Sequence, residues 1–382
     1  MDKKLFLDAA VRVGQDLYFT ATNSHCLYKR SAETGVVSAV AVMATGSVRT
    51  KKFAGLFLYQ NRIWMIPWSE DYFWVYDIET AKMKHLEIPG DVRKSDKGAV
   101  FRRAVAVGKY IWAMPNWAEC VMRIDMEQEC FDLYTDWPEG VTVHSGEPNF
   151  KSISYDEAKG KLYLFREGCN ENIIMDVNDG SMKILDLPVC GEFGCAENDR
   201  IVISPVKTGN SVRIFQKDGE ERAVLEREIK LPDEVWAQEE LYAYWYADYV
   251  DDKWFLLPNE ANALLVLDDN LNLDIVKTPA DTYRETGNKQ VFAGYEALKM
   301  GDRVWILPYE GNRILVLDRQ NRIVDNMELK VSLPDEKNEL EGLFAEVLGT
   351  VQSEWKDAKY QTESAKNHCH AVGTKIYETL KS

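Results

Sequence analysis

The chain has 382 residues, of which 46% are hydrophobic and 11% aromatic. This is ample material for a packed core, which excludes an intrinsically disordered protein. The formal net charge of -16 repels phosphate backbones and anionic membrane surfaces, so neither nucleic acid nor a membrane is an expected partner.

The N-terminal segment, residues 1–16, has a short apolar stretch that Asp8 and Arg12 interrupt. It is too short for the core of a signal peptide, and no later stretch approaches the length of a membrane span. The 7 cysteines form no CxxC pair and suit reduced thiols. We therefore expect a cytoplasmic protein.

A short apolar strand recurs seven times along the chain. Its last residue falls at positions 21, 67, 115, 166, 205, 258 and 308. The spacing of about 48 residues is typical of propeller blades. A second strand precedes each of these strands and two more follow it, and the last of the four generally ends at a proline, which cannot donate to a ladder.

These units predict an all-β protein, a seven-bladed β-propeller of four-stranded antiparallel blades with strands A to D running outward from the axis, followed by a short C-terminal helical tail. The propeller is predicted over residues 4–334, with no strand shared between its two ends, and a helical C-terminal extension over 335–382. The predicted blades are approximately 4–43, 50–89, 100–138, 149–188, 192–232, 241–279 and 290–334.

Aromatic side chains recur three residues before the end of strand B. Because such short strands cannot bury both faces alone, the blades must stack on one another, and we expect these rings to fill the seams. They are Trp64, Trp112, Tyr163, Phe255 and Trp305.

Two stretches, residues 111–138 and 304–324, resemble the repeat of the virginiamycin B lyase type of propeller, and also kelch-like and quinoprotein-type repeats. Trp is followed by apolar residues, a polar loop, an apolar strand, Asp and a turn. The lyase resemblance implies a magnesium-assisted elimination that uses histidines and a glutamate in the channel. The five histidines stand at 25, 85, 144, 368 and 370, none in the loops of units five to seven, so the lyase's catalytic residues are not carried over.

The loops from B to C and from D to the next A share one rim of a propeller, where ligand sites commonly form. Trp68, Trp117 and Tyr309 lie on B to C loops and could form a platform for a sugar or another flat ligand; packing onto a neighbouring loop is the alternative. Basic residues on the same rim predict an anion site, with ordinary solvated charges as the alternative. They are Arg102, Arg103, Lys151 and Arg284.

Catalytic candidates on this rim are His144 with Glu147 beside it, and the acids Glu260 and Glu310. A solvated histidine is the simpler interpretation of His144. No cofactor motif occurs. The sequence HCH at 368–370 has no matched distant ligands, so no metal site is predicted.

After Pro334 the apolar spacing becomes helical, from Leu340 to Leu348 and again from Val372 to Leu380. Two short amphipathic helices fit this pattern. They would pack on the propeller, mediate a dimer contact or dock another protein.

Two functional hypotheses follow. The first is a non-catalytic binding or scaffold propeller in a bacterial cytosol that recognises a glycan, an anionic metabolite or a protein partner on its loop rim. The second is a channel-sited lyase or hydrolase that acts on a polyhydroxylated or anionic substrate.

Overall fold

A computed structural model confirms the seven-bladed β-propeller: seven separate four-stranded antiparallel sheets follow one another along the chain. It describes residues 2–43, 51–90, 92, 100–143, 150–166, 170–189, 193–204, 211–235, 243–259, 261–279 and 292–332. The predicted C-terminal helices lie outside these residues. Among the described residues no helix has the length and apolarity that crossing a bilayer requires.

Each blade consists of four consecutive strands in the order A, B, C, D. Blade 1 is β2 (Leu7–Val13), β3 (Asp16–Ala21), β4 (Cys26–Arg30) and β5 (Val37–Val42); blade 2 is β6 (Phe53–Tyr59), β7 (Arg62–Pro67), β8 (Tyr72–Asp77) and β9 (Lys82–Glu87); blade 3 is β10 (Phe101–Val107), β11 (Tyr110–Pro115), β12 (Val121–Asp125) and β13 (Cys130–Tyr134); blade 4 is β14 (Phe150–Asp156), β15 (Lys161–Arg166), β16 (Glu171–Asp176) and β17 (Met182–Asp186).

The remaining blades repeat the order. Blade 5 is β18 (Gly194–Glu197), β19 (Arg200–Ile203), β20 (Ser211–Lys217) and β21 (Ala223–Lys230); blade 6 is β22 (Tyr244–Val250), β23 (Lys253–Pro258), β24 (Ala263–Asp268) and β25 (Leu273–Lys277); blade 7 is β26 (Gly294–Met300), β27 (Arg303–Pro308), β28 (Arg313–Leu317) and β29 (Ile323–Glu328).

No blade mixes strands from the two ends of the propeller, as the sequence predicted. The ends are nevertheless joined by a feature that the repeat did not predict. Strand β1 (Asp2–Lys4) pairs antiparallel with β30 (Lys330–Ser332), with Lys3 opposite Val331. This short ladder ties the start of blade 1 to the end of blade 7.

The apolar core is divided into seam clusters, each built from two consecutive blades. Trp64 and Trp112 are fully buried in the seams after blades 2 and 3, and Tyr163 and Phe255 occupy later seams. Trp305 is only partly buried, in the seam between blades 7 and 1. The recurring aromatics of strand B therefore pack between blades, as predicted.

Side chains also connect neighbouring A strands, which belong to separate sheets. Ser152 of β14 accepts a hydrogen bond from the Gly194 amide (3.0 Å) and donates one to the Gly194 carbonyl (3.1 Å). Ser154 accepts one from the Ala196 amide (2.9 Å). These bonds satisfy backbone groups on the inner edge of β18, which no neighbouring strand of its own sheet reaches.

We expect Ser152→Ala to lower the free energy of unfolding by about 2 kcal/mol, because it leaves a buried amide and a buried carbonyl of Gly194 without a partner. Urea unfolding followed by tryptophan fluorescence measures the change. Ser38→Ala on the exposed part of β5 is the matched control and should change stability by less than about 0.5 kcal/mol. Equal losses in the two variants would contradict the role assigned to Ser152.

Candidate functional site at the loop side of the central channel

Six of the seven A strands carry a β-bulge at their second residue. A bulge leaves one residue unpaired and re-aims its side chain, and bulges are common beside functional sites. The A strands begin on the side of the ring that carries the B to C and D to A loops, here called the loop side. The bulged residues form a ring around the axis on that side. They are Asp8, Ala54, Arg102, Lys151, Trp245 and Tyr295.

Below this ring, side chains cross the channel between distant blades. Arg103 of blade 3 donates to Asp248 Oδ1 of blade 6 (3.0 Å) and to the Tyr295 carbonyl of blade 7 (3.3 Å). Its guanidinium lies 4.5 Å from the centre of the Tyr246 ring. The Tyr295 hydroxyl donates to the Ala54 carbonyl of blade 2 (2.8 Å). These contacts make a floor across the channel rather than an open pore.

Lys51, on the segment before β6, lies buried against this floor. Its Nζ donates to the Asp8 carbonyl (2.7 Å) and to Asp8 Oδ1 (3.3 Å), and it stands 3.7 Å from the centre of the Tyr295 ring. The rings of Trp68 and Tyr309 are each 5.5 Å from the same nitrogen. Burial lowers the pKa of Lys51, although the charges of Asp8 and Glu310 oppose the shift.

We call the cluster of side chains formed by Lys51, Trp68, Arg102, Tyr295 and Tyr309 the basin. Its aromatic side chains lie close together. The ring centres of Tyr309 and Tyr295 are 6.1 Å apart, and the rings of Trp68, Tyr295 and Tyr309 all lie near the Lys51 ammonium group. Trp245 stacks edge-on against Tyr309 at 5.0 Å. Trp68 and Tyr309, two of the three rim aromatics that the sequence proposed, thus lie around one lysine, with Trp245 and Tyr295 beside Tyr309.

Arg102 is the bulged residue of β10 and is partly buried. Its guanidinium lies 5.6 Å from the centre of the Trp68 ring. In the described part of the chain it makes no hydrogen bond or ion pair, and its Nε is sealed from solvent without a partner. A desolvated cation without a counter-charge is costly, so this group is available to an anion from outside the protein.

Glu296 follows the bulged Tyr295 on β26 and is partly buried. Burial, together with the charge of Asp248, raises the pKa of Glu296 to about 7, against the opposing effect of Arg103 and Lys51. Among the described residues its carboxyl group accepts no hydrogen bond and forms no ion pair. It is therefore an acid that exchanges its proton near neutral pH.

The structure brings together four residues that the sequence proposed as ligand-binding: Trp68, Tyr309, Arg102 and Arg103. Arg103 differs from the prediction in one respect, because Asp248 already neutralises it. The catalytic candidate Glu310 adjoins the basin, follows Tyr309 and has a positive φ of 53°.

Two of the other proposed residues, Lys151 and Trp117, are described. Lys151 is the bulged residue of β14 and is 8% exposed, so it is nearly enclosed. Trp117 is partly buried on the loop after β11. His144, Glu147, Glu260 and Arg284 lie outside the described residues. In the described ranges, no three side chains of His, Cys, Asp or Glu come together as a metal-binding group.

The sequence analysis did not identify Lys51, Tyr295 or Glu296 as site residues. It also did not identify Asp8, which accepts hydrogen bonds from Lys51, or Asp248, whose charge acts on Glu296. The spacing of the strands nevertheless marks some of these residues. The residue that opens strand A pairs with the last residue of strand B, as Gly294 does with Pro308, and the next one or two positions carry Asp8, Tyr295 and Glu296. Lys51 and Asp248 fall outside these positions.

No family model and no curated protein sequence matches this chain. Solved structures do. Virginiamycin B lyase from Staphylococcus aureus aligns with a TM-score of 0.59 and 12% identity over 82% of this chain and 97% of the lyase. YCF48, solved bound to a D1 peptide, aligns with a TM-score of 0.55 and 11% identity over 83% and 95%.

PorZ, a surface component of the type-IX secretion system of Porphyromonas gingivalis, aligns with a TM-score of 0.52 and 12% identity over 87% of this chain and 39% of PorZ. The resemblance to virginiamycin B lyase-like propellers, expected from the repeat, is thus confirmed for the fold. At these identities the likeness shows the fold alone, because propellers of one architecture carry unrelated functions.

The pKa of Glu296 has a consequence for stability. Its folded pKa of about 7 exceeds the ordinary value of 4.5, so the folded state binds the proton more tightly. The stability that Glu296 contributes is complete below pH 4.5 and is lost as the pH rises through 7.

We therefore expect Glu296→Gln, which imitates the neutral acid, to gain about 2 kcal/mol of stability relative to the natural protein between about pH 5 and pH 8. Urea unfolding of the natural protein and the variant at both pH values measures this difference. Glu197 also has a raised pKa, but it is present in both proteins, so its contribution cancels. Glu87→Gln on the exposed part of β9 is the control and should show no such dependence. The same pH dependence in both variants would be evidence against a raised pKa for Glu296.

Proposed function

We propose that this protein is a non-catalytic binding propeller that recognises a small anionic ligand with a flat apolar part in the basin. The observation that carries the proposal is Arg102. Its guanidinium is held against Trp68, part of it is desolvated, and no carboxylate of the described residues neutralises it.

The neighbouring charges favour an anion from outside. Lys51 and Arg103 are already paired with Asp8 and Asp248, so their charges are largely cancelled. Of Lys51, Arg102 and Arg103, Arg102 is the one that has no carboxylate partner among the described residues. A carboxylate or a phosphate matches its planar fork of donors, and such charge-assisted hydrogen bonds are among the stronger ones.

The aromatic walls favour a flat or apolar body attached to that anionic group. The partly exposed rings of Trp68 and Tyr309 offer faces and edges on which a planar ligand or a sugar ring can stack. A cluster of five side chains suits a small molecule or the end of a peptide better than a folded partner, whose docking would require a much larger surface.

A channel-sited enzyme, a lyase or hydrolase, is the second candidate, and Glu296 is the observation that favours it. An acid with a pKa of about 7 is suited to transfer protons at neutral pH, and Asp248 is close enough to contribute to that pKa. The two candidates differ in what becomes of a bound ligand. The binding protein returns it unchanged, whereas the enzyme releases a product.

We expect Arg102→Leu to weaken the binding of 3-phenylpropanoate, a carboxylate with a flat ring, by about tenfold or more, since a charge-assisted hydrogen bond is lost. Calorimetric titration measures the affinity, and NMR spectra of the recovered probe test for turnover. Arg303→Leu, on the exposed start of β27 at the other side of the ring, is the control and should bind as the natural protein does.

Two outcomes would contradict the proposal. One is an equal affinity of Arg102→Leu and the natural protein for 3-phenylpropanoate. The other is the absence of binding by the natural protein to 3-phenylpropanoate, phenyl phosphate and glucuronate alike, which together cover the anionic groups and ring types that the basin could accept.

A further inference from the structure

Glu296 lies within reach of the basin. It is the third residue of β26, two residues from the loop-side end of the strand and four from the opposite end. At about 3.3 Å per residue, it stands about 7 Å below the loop-side end and about 13 Å above the other end. It is also partly exposed, so solvent or a ligand group can contact its carboxyl group.

The charged and titratable groups around Glu296 come from several elements. Strand β22 contributes Asp248 and Tyr246, β10 contributes Arg103, the segment before β6 contributes Lys51, and Tyr295 is its neighbour in the chain, with Asp8 of β2 beyond it. Across the ladder, β27 presents the apolar Leu307 opposite Glu296.

The two cations around Glu296, Arg103 and Lys51, already have hydrogen-bond partners. Arg103 donates to Asp248 and to the Tyr295 carbonyl, and Lys51 donates twice to Asp8. Glu296 therefore keeps an acceptor without a donor among the described residues. It is linked to Arg102 through Lys51, whose charge acts on Glu296 and whose Nζ lies 5.5 Å from the centre of the Trp68 ring that Arg102 also faces. Two groups of opposite kind, each without a partner among the described residues, lie on the inner strands of one channel.

Resting on the proposed function, we infer that the ligand is an acid that carries a hydrogen-bond donor next to its anionic group: a hydroxy acid or an amino acid. Its anionic group binds Arg102, and its hydroxyl or ammonium group donates to the Glu296 carboxylate. Its remaining flat or apolar part lies against Trp68 and Tyr309.

The inferred arrangement satisfies both groups at once. A carboxylate brought to Arg102 alone would lie near the negative charge of ionised Glu296 and would be repelled by it. A donor hydrogen on the ligand offsets this repulsion with a charge-assisted hydrogen bond to Glu296. A site built to accept a ligand donor discriminates strongly against the analogue that lacks the donor.

Three probes of one skeleton test the inference: 3-phenylpropanoate, 3-phenyllactate and phenylalanine, which carry hydrogen, hydroxyl and ammonium on the carbon next to the carboxylate. At pH 8, where Glu296 is mainly ionised, we expect phenyllactate, phenylalanine or both to bind the natural protein about tenfold more tightly than phenylpropanoate. Which of the two gains identifies a hydroxy acid or an amino acid.

In Glu296→Leu this gain should disappear, while phenylpropanoate binds as well as before or more tightly because a like charge has been removed. Glu296→Gln keeps an acceptor oxygen without the charge and should retain part of the hydroxyl gain and lose the ammonium gain. Circular dichroism verifies that both variants are folded, and Glu296→Gln provides the test if Glu296→Leu is not.

The inference is overturned if neither donor-bearing probe gains affinity in the natural protein, or if the gain persists in Glu296→Leu. A separate failure concerns the proposed function itself: if phenylpropanoate binding does not respond to Arg102→Leu, the basin is not the anion site. The two failures are read from different variants and are therefore distinguishable.

Discussion

The inner edge of each A strand is the constraint on which the rest of this structure depends. The seven A strands converge on the axis but belong to separate sheets, so their inner backbone groups have no strand to pair with. Side chains of the preceding blade take that place. The Asp8 carboxylate accepts the Phe53 amide of blade 2 (3.2 Å), and the Asp248 carboxylate accepts the Ala297 amide of blade 7 (2.9 Å). Polar residues in the channel are therefore required by the fold itself.

This requirement separates structural polar groups from candidate functional ones. Asp8 and Asp248 accept hydrogen bonds from backbone amides and also form ion pairs with Lys51 and Arg103. Their charges therefore stabilise the propeller ring. A buried pair of this kind is weak evidence for a binding role. Arg102 has no such partner in the described residues, which is why it carries more functional weight than the more deeply buried Arg103.

Much of the fold could be predicted from the sequence, because blades interact mainly with their neighbours and repeat the same local pattern. The site was less accessible. Trp68 and Tyr309 could be found because they follow strand B at a fixed distance. Glu296 could not be singled out by that rule, since its importance comes from a bulge on β26 and from Arg103, which lies far away in the sequence. Contacts across the axis leave no periodic trace in the chain.

The charge of the whole chain and the charge of the basin have opposite signs, and this shapes recognition. A formal charge of -16 repels anions at long range, so electrostatic steering from a distance does not favour an anionic ligand. Attraction begins only near Arg102, where solvent is partly excluded and screening is weaker. Large polyanions meet repulsion over most of their surface, whereas a small acid meets it only briefly on its approach. The acidic exterior thus selects small anions over polyanions, and the basin distinguishes among the small anions by the groups next to their charge.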